Sequence, residues 1–179
     1  MMSLVVSDNI TCLQQGAALL AEMDDELYTR PCESALSSAI GGHIRHNIEH
    51  YQSLLDGIPT GTVDYDARER NPLIETSSSI AANEMRQLVL RLQDVTEVGI
   101  PLTVKMDTGS GDTGDETCWS GSTVLRELQF LLSHNIHHYA LIATICHANG
   151  FPIPADFGVA PSTLRYREEQ NARAPSVAC

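Results

Sequence analysis

Two stretches of the chain echo each other, His46-Asn47-Ile48-Glu49-His50-Tyr51 and His134-Asn135-Ile136-His137-His138-Tyr139, and with His43 they hold six of its seven histidines. Residues four apart on a helix stand one turn above each other, so both members of a His-x-x-x-His pair reach the same point in space. Two such helices side by side would close a metal site. Zn²⁺, Ni²⁺ and Fe²⁺ favour imidazole nitrogen, and three protein ligands leave one coordination position for water or substrate, which is the arrangement of a catalytic site.

The elements that must position these histidines follow from periodicity and breakers. Four segments read as helices, at about 3 to 28, 32 to 55, 73 to 97 and 123 to 148. Pro31 and Pro72 stand where first turns begin, Gly57 through Gly61 end the second segment, and Gly150-Phe151-Pro152 ends the fourth. Four long helices in 179 residues predict an all-α four-helix bundle over residues 1 to 150. The connection from 98 to 121 predicts a small β-hairpin between helices three and four. Leu102 to Met106 alternates with period two, Asp107 to Asp115 would turn, and Thr117 to Ser120 would return. Residues 109 to 116 lack the alternating acidic positions and closing glutamate of a calcium loop. Residues 151 to 179 read as an extension with a short helix at 161 to 171, expected to pack over the bundle or at a dimer contact.

On the fourth helix Glu127, Leu131, His134, His138, Leu141 and Ile145 fall in one stripe at 100° per residue, so the two histidines are expected to face inward and bind metal. Two stacked inward imidazoles need partners to satisfy them. His137 falls to the flank. On the second helix His43, His46 and His50 all lie on one side, and each is able to supply a third nitrogen. Leu36, Ile40, Tyr51 and Leu54 centre the apolar face near His43 and Asn47, leaving His46 and His50 at its edge. Other metal chemistries fail on spacing. A zincin places glutamate directly after the first histidine, where this chain has Asn135. No histidine has glutamate three residues before it, as a carboxylate di-iron bundle requires. Cys-x-x-Cys-His is absent, and Asp156-Phe157-Gly158 lacks every other part of a kinase.

Composition narrows the partners. With 11 basic and 23 acidic residues the net charge is −12, and no local basic patch offsets it, which opposes nucleic-acid binding. No apolar run approaches the roughly 20 residues of a bilayer span and the start does not read as a signal peptide, so the expectation is a cytoplasmic protein that does not engage membranes. Five scattered cysteines without a Cys-x-x-Cys suggest neither a disulfide framework nor a thiolate zinc site, and Cys12 and Cys146 fit helix interiors.

A bundle with a histidine on helix two and a His-x-x-x-His pair on helix four resembles the DinB/YfiT-like superfamily. The resemblance covers most of residues 1 to 150 and is carried by Ala39-Ile40-Gly41-Gly42-His43-Ile44-Arg45-His46 and Ser133-His134-Asn135-Ile136-His137-His138. It implies up-down-down-up topology, with the long connection between helices two and three as the crossover. It also implies one divalent ion held by three histidines, and a homodimer. The isoleucine six residues before His46 and Glu49 after it match the usual surroundings, so the resemblance selects His46, with His134 and His138, as the ligand set. The chain departs from many relatives just after the pair, where Tyr139-Ala140-Leu141 replaces Arg-Gly-Gln. Some members act as thiol S-transferases or isomerases with a low-molecular-weight thiol. The function expected is therefore a metal-dependent thiol transferase or hydrolase of a small-molecule substrate, its ion being Zn, Ni, Fe or Mn, with Glu49 or Glu127 orienting a histidine or moving a proton. The alternative is a non-catalytic protein in which the ion only ties helix two to helix four.

Overall fold

The computed structural model describes residues 2–32, 38–106 and 119–173. The described chain is mostly helical with one small sheet. Its elements are α1 (Leu4–Ala21), α2 (Asp25–Thr29), α3 (Ile40–Gly57), a 3-10 turn (Ile58–Thr60), β1 (Thr62–Asp64), α4 (Pro72–Thr76), α5 (Ser78–Gln93), β2 (Pro101–Lys105), β3 (Trp119–Thr123), α6 (Val124–Ala148) and α7 (Pro161–Arg173).

The four long helices α1, α3, α5 and α6 form a closed ring of contacts in which α1 and α3 each pack on both α5 and α6. Apolar residues at helical spacing supply the core. Val6, Ile10, Leu13 and Leu20 of α1 meet Ile44, Ile48 and Leu54 of α3, Met85, Leu88 and Leu92 of α5, and Leu128, Leu131 and Ile142 of α6.

Two of the expected helices are each divided, and capping chemistry gives the reason. The segment expected at 3 to 28 ends at Ala21 and restarts at Asp25, because Asp24 accepts from the Leu27 N–H at 2.8 Å and starts a new helix. The segment expected at 73 to 97 is α4 and α5, broken at Ser77, which is extended at φ −129° and ψ 114°. Serines compete for local hydrogen bonds there. Ser78 donates from both N–H and Oγ to Asp25 Oδ1, at 2.7 and 2.8 Å, fastening the start of α5 to α2. The third helix also ends early, at Gln93. The second starts at Ile40 rather than 32. Residues 33–37 of that expected segment lie outside the described residues, while Cys32 and Ser38 form an isolated β-bridge.

The expected strands pair antiparallel as β2 and β3, with Val104 opposite Ser120. The turn expected at Asp107 to Asp115 and the rejected calcium loop lie outside the described residues. The two-stranded expectation was incomplete: β1, three residues from the crossover between α3 and α4, pairs parallel with β2, Val63 beside Val104. Val63, Leu102 and Val104 turn inward, consistent with a sheet wetted on one face.

Beyond α6, Phe157 is buried and stacks on Tyr139 at 4.5 Å and 14°. Gly158 follows at φ +72°, where an added Cβ would stand 2.7 Å from the Ala140 nitrogen, so the extension to this point lies directly on the α6 backbone. By contrast, the described side chains of α7 are largely exposed.

Close approach also governs the start of α3. A Cβ on Gly41 would lie 2.0 Å from the Glu75 carbonyl oxygen of α4 and 3.1 Å from the Tyr28 ring, itself fixed by its hydroxyl donating to the Ile74 carbonyl. Helix propensity alone would make Gly41→Ala stabilising by about 1 kcal/mol. The backbone clash is larger, because α4 has to move as a unit, and overpacking of this kind costs about 1–3 kcal/mol or more. Gly41→Ala is therefore expected to be net destabilising by about 2 kcal/mol, read as a lowered urea midpoint at unchanged slope.

Candidate metal centre

Helices α3 and α6 pack against each other and bring five histidines into one cluster. His46 Nε2 lies 2.8 Å from His134 Nε2, and His43 Nδ1 lies 2.9 Å from His138 Nδ1. The centroids of His46, His134 and His138 are mutually 4.6 to 5.0 Å apart. His46, His134 and His138 offer ring nitrogens that all lie within 4.8 Å of one another, a set geometrically able to hold one ion.

The donor set fits a borderline divalent cation. Ligands about 2.0–2.1 Å from a tetrahedral ion stand roughly 3.4 Å apart, so on binding the 2.8 Å contact between His46 and His134 would widen by about 0.6 Å and the wider separations in the set, all within 4.8 Å, would close toward the same value. Protonation also favours ligation. Burial, followed by the neighbouring histidines and Arg68, pushes His46 down to about 2. Burial and then His134 and His43 push His138 down to about 3, and burial is the main cause that lowers His134 and His43. Neutral imidazole at pH 7 is the ligating form.

The other helix-two histidines have distinct positions. His43 pairs with His138 through Nδ1, and its Nε2 is buried without a hydrogen-bond partner. His50 is buried, its Nδ1 donates to the His46 carbonyl at 2.8 Å, and its ring stacks on Tyr65 at 5.2 Å and 20°. Burial lowers His50 to about 4. His137 is exposed on the flank of α6, edge-on to His138.

Two sequence expectations about this region need correction. The centre of the buried face of α6 is not the histidine stripe but Leu128, Leu131, Asn135, Tyr139, Ile142 and Cys146, and His134 and His138 sit half-buried at its edge. That edge faces α3, so the site lies in an interhelical groove. Nor does either expected carboxylate bond a histidine. Glu49 is buried between Arg45 Nη1 at 3.0 Å and the Asn71 N–H at 2.9 Å, with Arg68 Nη1 at 3.7 Å. Glu127 accepts from Tyr65 Oη at 2.9 Å and from Ser122 Oγ.

The repeated motif also has a structural half. Its two asparagines, Asn47 and Asn135, are buried and bonded to each other, and Asn135 also donates to Cys12 Sγ at 3.2 Å. Its two tyrosines are buried and reach α1, Tyr51 donating to Asn9 Oδ1 at 2.6 Å and Tyr139 to the Cys12 carbonyl at 3.1 Å. Each copy of His-Asn-Ile-x-His-Tyr therefore presents histidine to the groove while Asn and Tyr lock α3, α6 and α1 together. Cys12, inside this polar lock, has its thiol pushed up to about 12 by burial and Cys146 up to about 11, so neither is an activated nucleophile.

A cavity of about 370 Å³ opens on the cluster, lined by His46, His50, Tyr65, Asp66, Arg68, Met106, Phe130 and His134. Its crossover residues Tyr65, Asp66 and Arg68 were not anticipated. A connection of this length with an aromatic among charges was the available signal. A larger cleft of about 610 Å³, between α1 and the extension at Phe151 and Phe157, contains neither the histidine cluster nor Arg68. The histidine cluster borders the smaller one.

No protein-family model matches the chain and no solved structure matches it. A similar protein is "FK506-binding protein 5" from Rhizopus delemar, 27% identical over 117 residues, which are 63% of this chain. The chain spans only about 30% of the length of that relative.

Proposed function

We propose that this protein binds one divalent ion through His46, His134 and His138, and that it is a metal-dependent enzyme of the DinB/YfiT-like type, a thiol S-transferase or hydrolase of a small molecule. The observation that carries the reading is the convergence of those three nitrogens on a groove that opens into a cavity. The pairing of β1 with β2 supports the family's topology. The two strands follow α3 and α5 and run parallel, the arrangement expected of an up-down-down-up bundle in which those helices enter in the same sense. Homodimerisation belongs to the same family reading.

An ion of this kind with a free coordination position acidifies a bound water or thiol and so supplies a nucleophile at neutral pH. The chain's own groups do the rest. His50 and Tyr65 form a stacked wall beside the ligands, and Glu127 holds the Tyr65 hydroxyl. His43 Nδ1 and His138 Nδ1 share a hydrogen bond at 2.9 Å that holds the His138 ring, the role an outer hydrogen-bond partner plays for a ligating histidine.

The cavity beside the ligands favours the enzyme over a purely structural ion, since closed sites serve structure. Elemental analysis of protein purified without an affinity tag is expected to give about one divalent ion per chain. The reconstituted protein is expected to turn over a thiol or ester substrate. A stoichiometry near zero after reconstitution with Zn²⁺, Ni²⁺, Mn²⁺ and Fe²⁺ would sink the proposal. Full loading with no turnover across thiol-transfer and ester panels would leave only the structural role.

A further inference from the structure

The cleft of about 610 Å³ between α1 and the extension falls in the size range of ligand sites and does not border the histidine cluster. Its α1 wall is Gln15, Ala18, Leu19 and Glu22, which helical spacing puts on one face. Ala18 has no side chain beyond its Cβ, so the floor stays open there. The opposite wall is anchored at both ends. Phe151 donates its N–H to the Cys146 carbonyl at 2.9 Å, and Phe157 is fixed by its stack on Tyr139 and by the close contact of Gly158 with the α6 backbone. Pro152 and Pro154 restrict φ in the stretch between them, so the wall is preformed rather than free to fold into the space.

The lining selects by charge. Leu19, Phe151, Phe157 and the two prolines present an apolar surface, and the charged residues that line the cleft among the described residues, Glu22 and Asp156, are both carboxylates on opposite walls. Neither side chain makes a hydrogen bond or ion pair with a described residue. Arg30 bonds Asn149 just before the extension, but it is paired with Glu26 at 2.5 Å and does not line the cleft. An anion would meet two like charges in a chain of net charge −12. A cation is attracted by both carboxylates and by the negative faces of the phenyl rings.

We propose that this cleft is a second small-molecule site, selective for an organic cation: an amine or quaternary ammonium whose charged head meets Glu22 and Asp156 and whose apolar body lies on Leu19, Phe151 and Phe157. The site stands apart from the histidines and does not depend on an ion there.

Calorimetric titration of the full chain with phenylbutylammonium provides the test, with phenylbutanol as the uncharged counterpart and phenylbutyrate as the anionic one. The ammonium is expected to saturate a single site at about millimolar concentration, the affinity open to so small a ligand. Phenylbutanol should bind at least tenfold more weakly, and phenylbutyrate should not bind. Added salt should weaken the ammonium and leave the alcohol unchanged. Glu22→Gln combined with Asp156→Asn should cost the ammonium at least tenfold without altering the alcohol. Ala18→Phe, which fills the cleft from an exposed helix position, should abolish binding of both while circular dichroism stays the same. Equal affinity for ammonium and alcohol, or full affinity in the double variant, overturns the selectivity for cations. Full affinity in Ala18→Phe puts the ligand elsewhere and overturns the site, as does the absence of saturable binding to the wild-type protein. Each result should be the same with and without a divalent ion, so failure of the metal reading leaves this proposal standing and failure here leaves the metal centre untouched.

Discussion

His134→Ala is expected to weaken metal binding severely while leaving the fold intact. Structural zinc sites bind with about 10–16 kcal/mol across four ligands, so one ligand accounts for about 3 kcal/mol, a loss of more than a hundredfold. His134 is half-buried, and its ring meets His46, Phe130 and the cavity rather than the centre of the core, so truncation opens onto space that water reaches. The adjacent residue gives the contrasting result. Asn135 is 1% exposed and bonds both Asn47 and Cys12, so Asn135→Ala strands a buried amide and costs about 1–3 kcal/mol of stability, with the three ligands untouched. His43→Ala should be graded, lowering affinity about 10- to 100-fold as the loss of an outer partner does. Isothermal titration with Zn²⁺ and urea unfolding on the three variants separate these effects. If His134→Ala keeps wild-type affinity, His46, His134 and His138 are not the ligands.

The histidine cluster was more legible in the sequence than its surroundings. His134 and His138 stand together because a helix places residues four apart on one face, a rule that needs no knowledge of the fold, whereas spacing left His43, His46 and His50 open and only the family resemblance selected His46 to join them. The inward stripe of α6 was misplaced by part of a turn because leucine and isoleucine recur on neighbouring faces of that helix, and only packing against α1 and α3 selects the one centred on Asn135 and Tyr139. Helix breaks at Asp24 and Ser77 were available from cap residues but were masked by continuous apolar periodicity on both sides. Strand β1 is three residues long, too short for a period to register, and it exists because β2 offers it an edge. Tyr65 and Arg68 follow directly on that pairing, with the Tyr65 N–H donating to the Lys105 carbonyl at 3.0 Å. Such residues are invisible to local pattern, since what carries them to the site is a contact between segments about forty residues apart in sequence.

Acid is expected to destabilise the chelator-treated protein from about pH 6.5 downward, before carboxylates begin to titrate. Burial lowers His43, His46, His50, His134 and His138 in the folded state, His50 to about 4, His138 to about 3 and His46 to about 2. In the unfolded chain each returns to about 6.5. Between those limits the unfolded state binds more protons than the folded one, so the stability present above pH 6.5 is lost as pH falls, and the window runs from about 6.5 down to about 4. One fully unprotonated histidine contributes a slope of about 1.4 kcal/mol per pH unit, and solvent at the half-exposed rings reduces the total below five times that value. Thermal melts between pH 7.5 and 4.5 should therefore show a steep fall in Tm that His46→Gln and His50→Gln each flatten. A saturating divalent ion, which binds only the folded state, raises Tm throughout. A melting temperature that stays level from pH 7 to pH 5 without metal would mean that the cluster accepts protons freely, and the neutral, ligation-ready set of imidazoles would have to be abandoned.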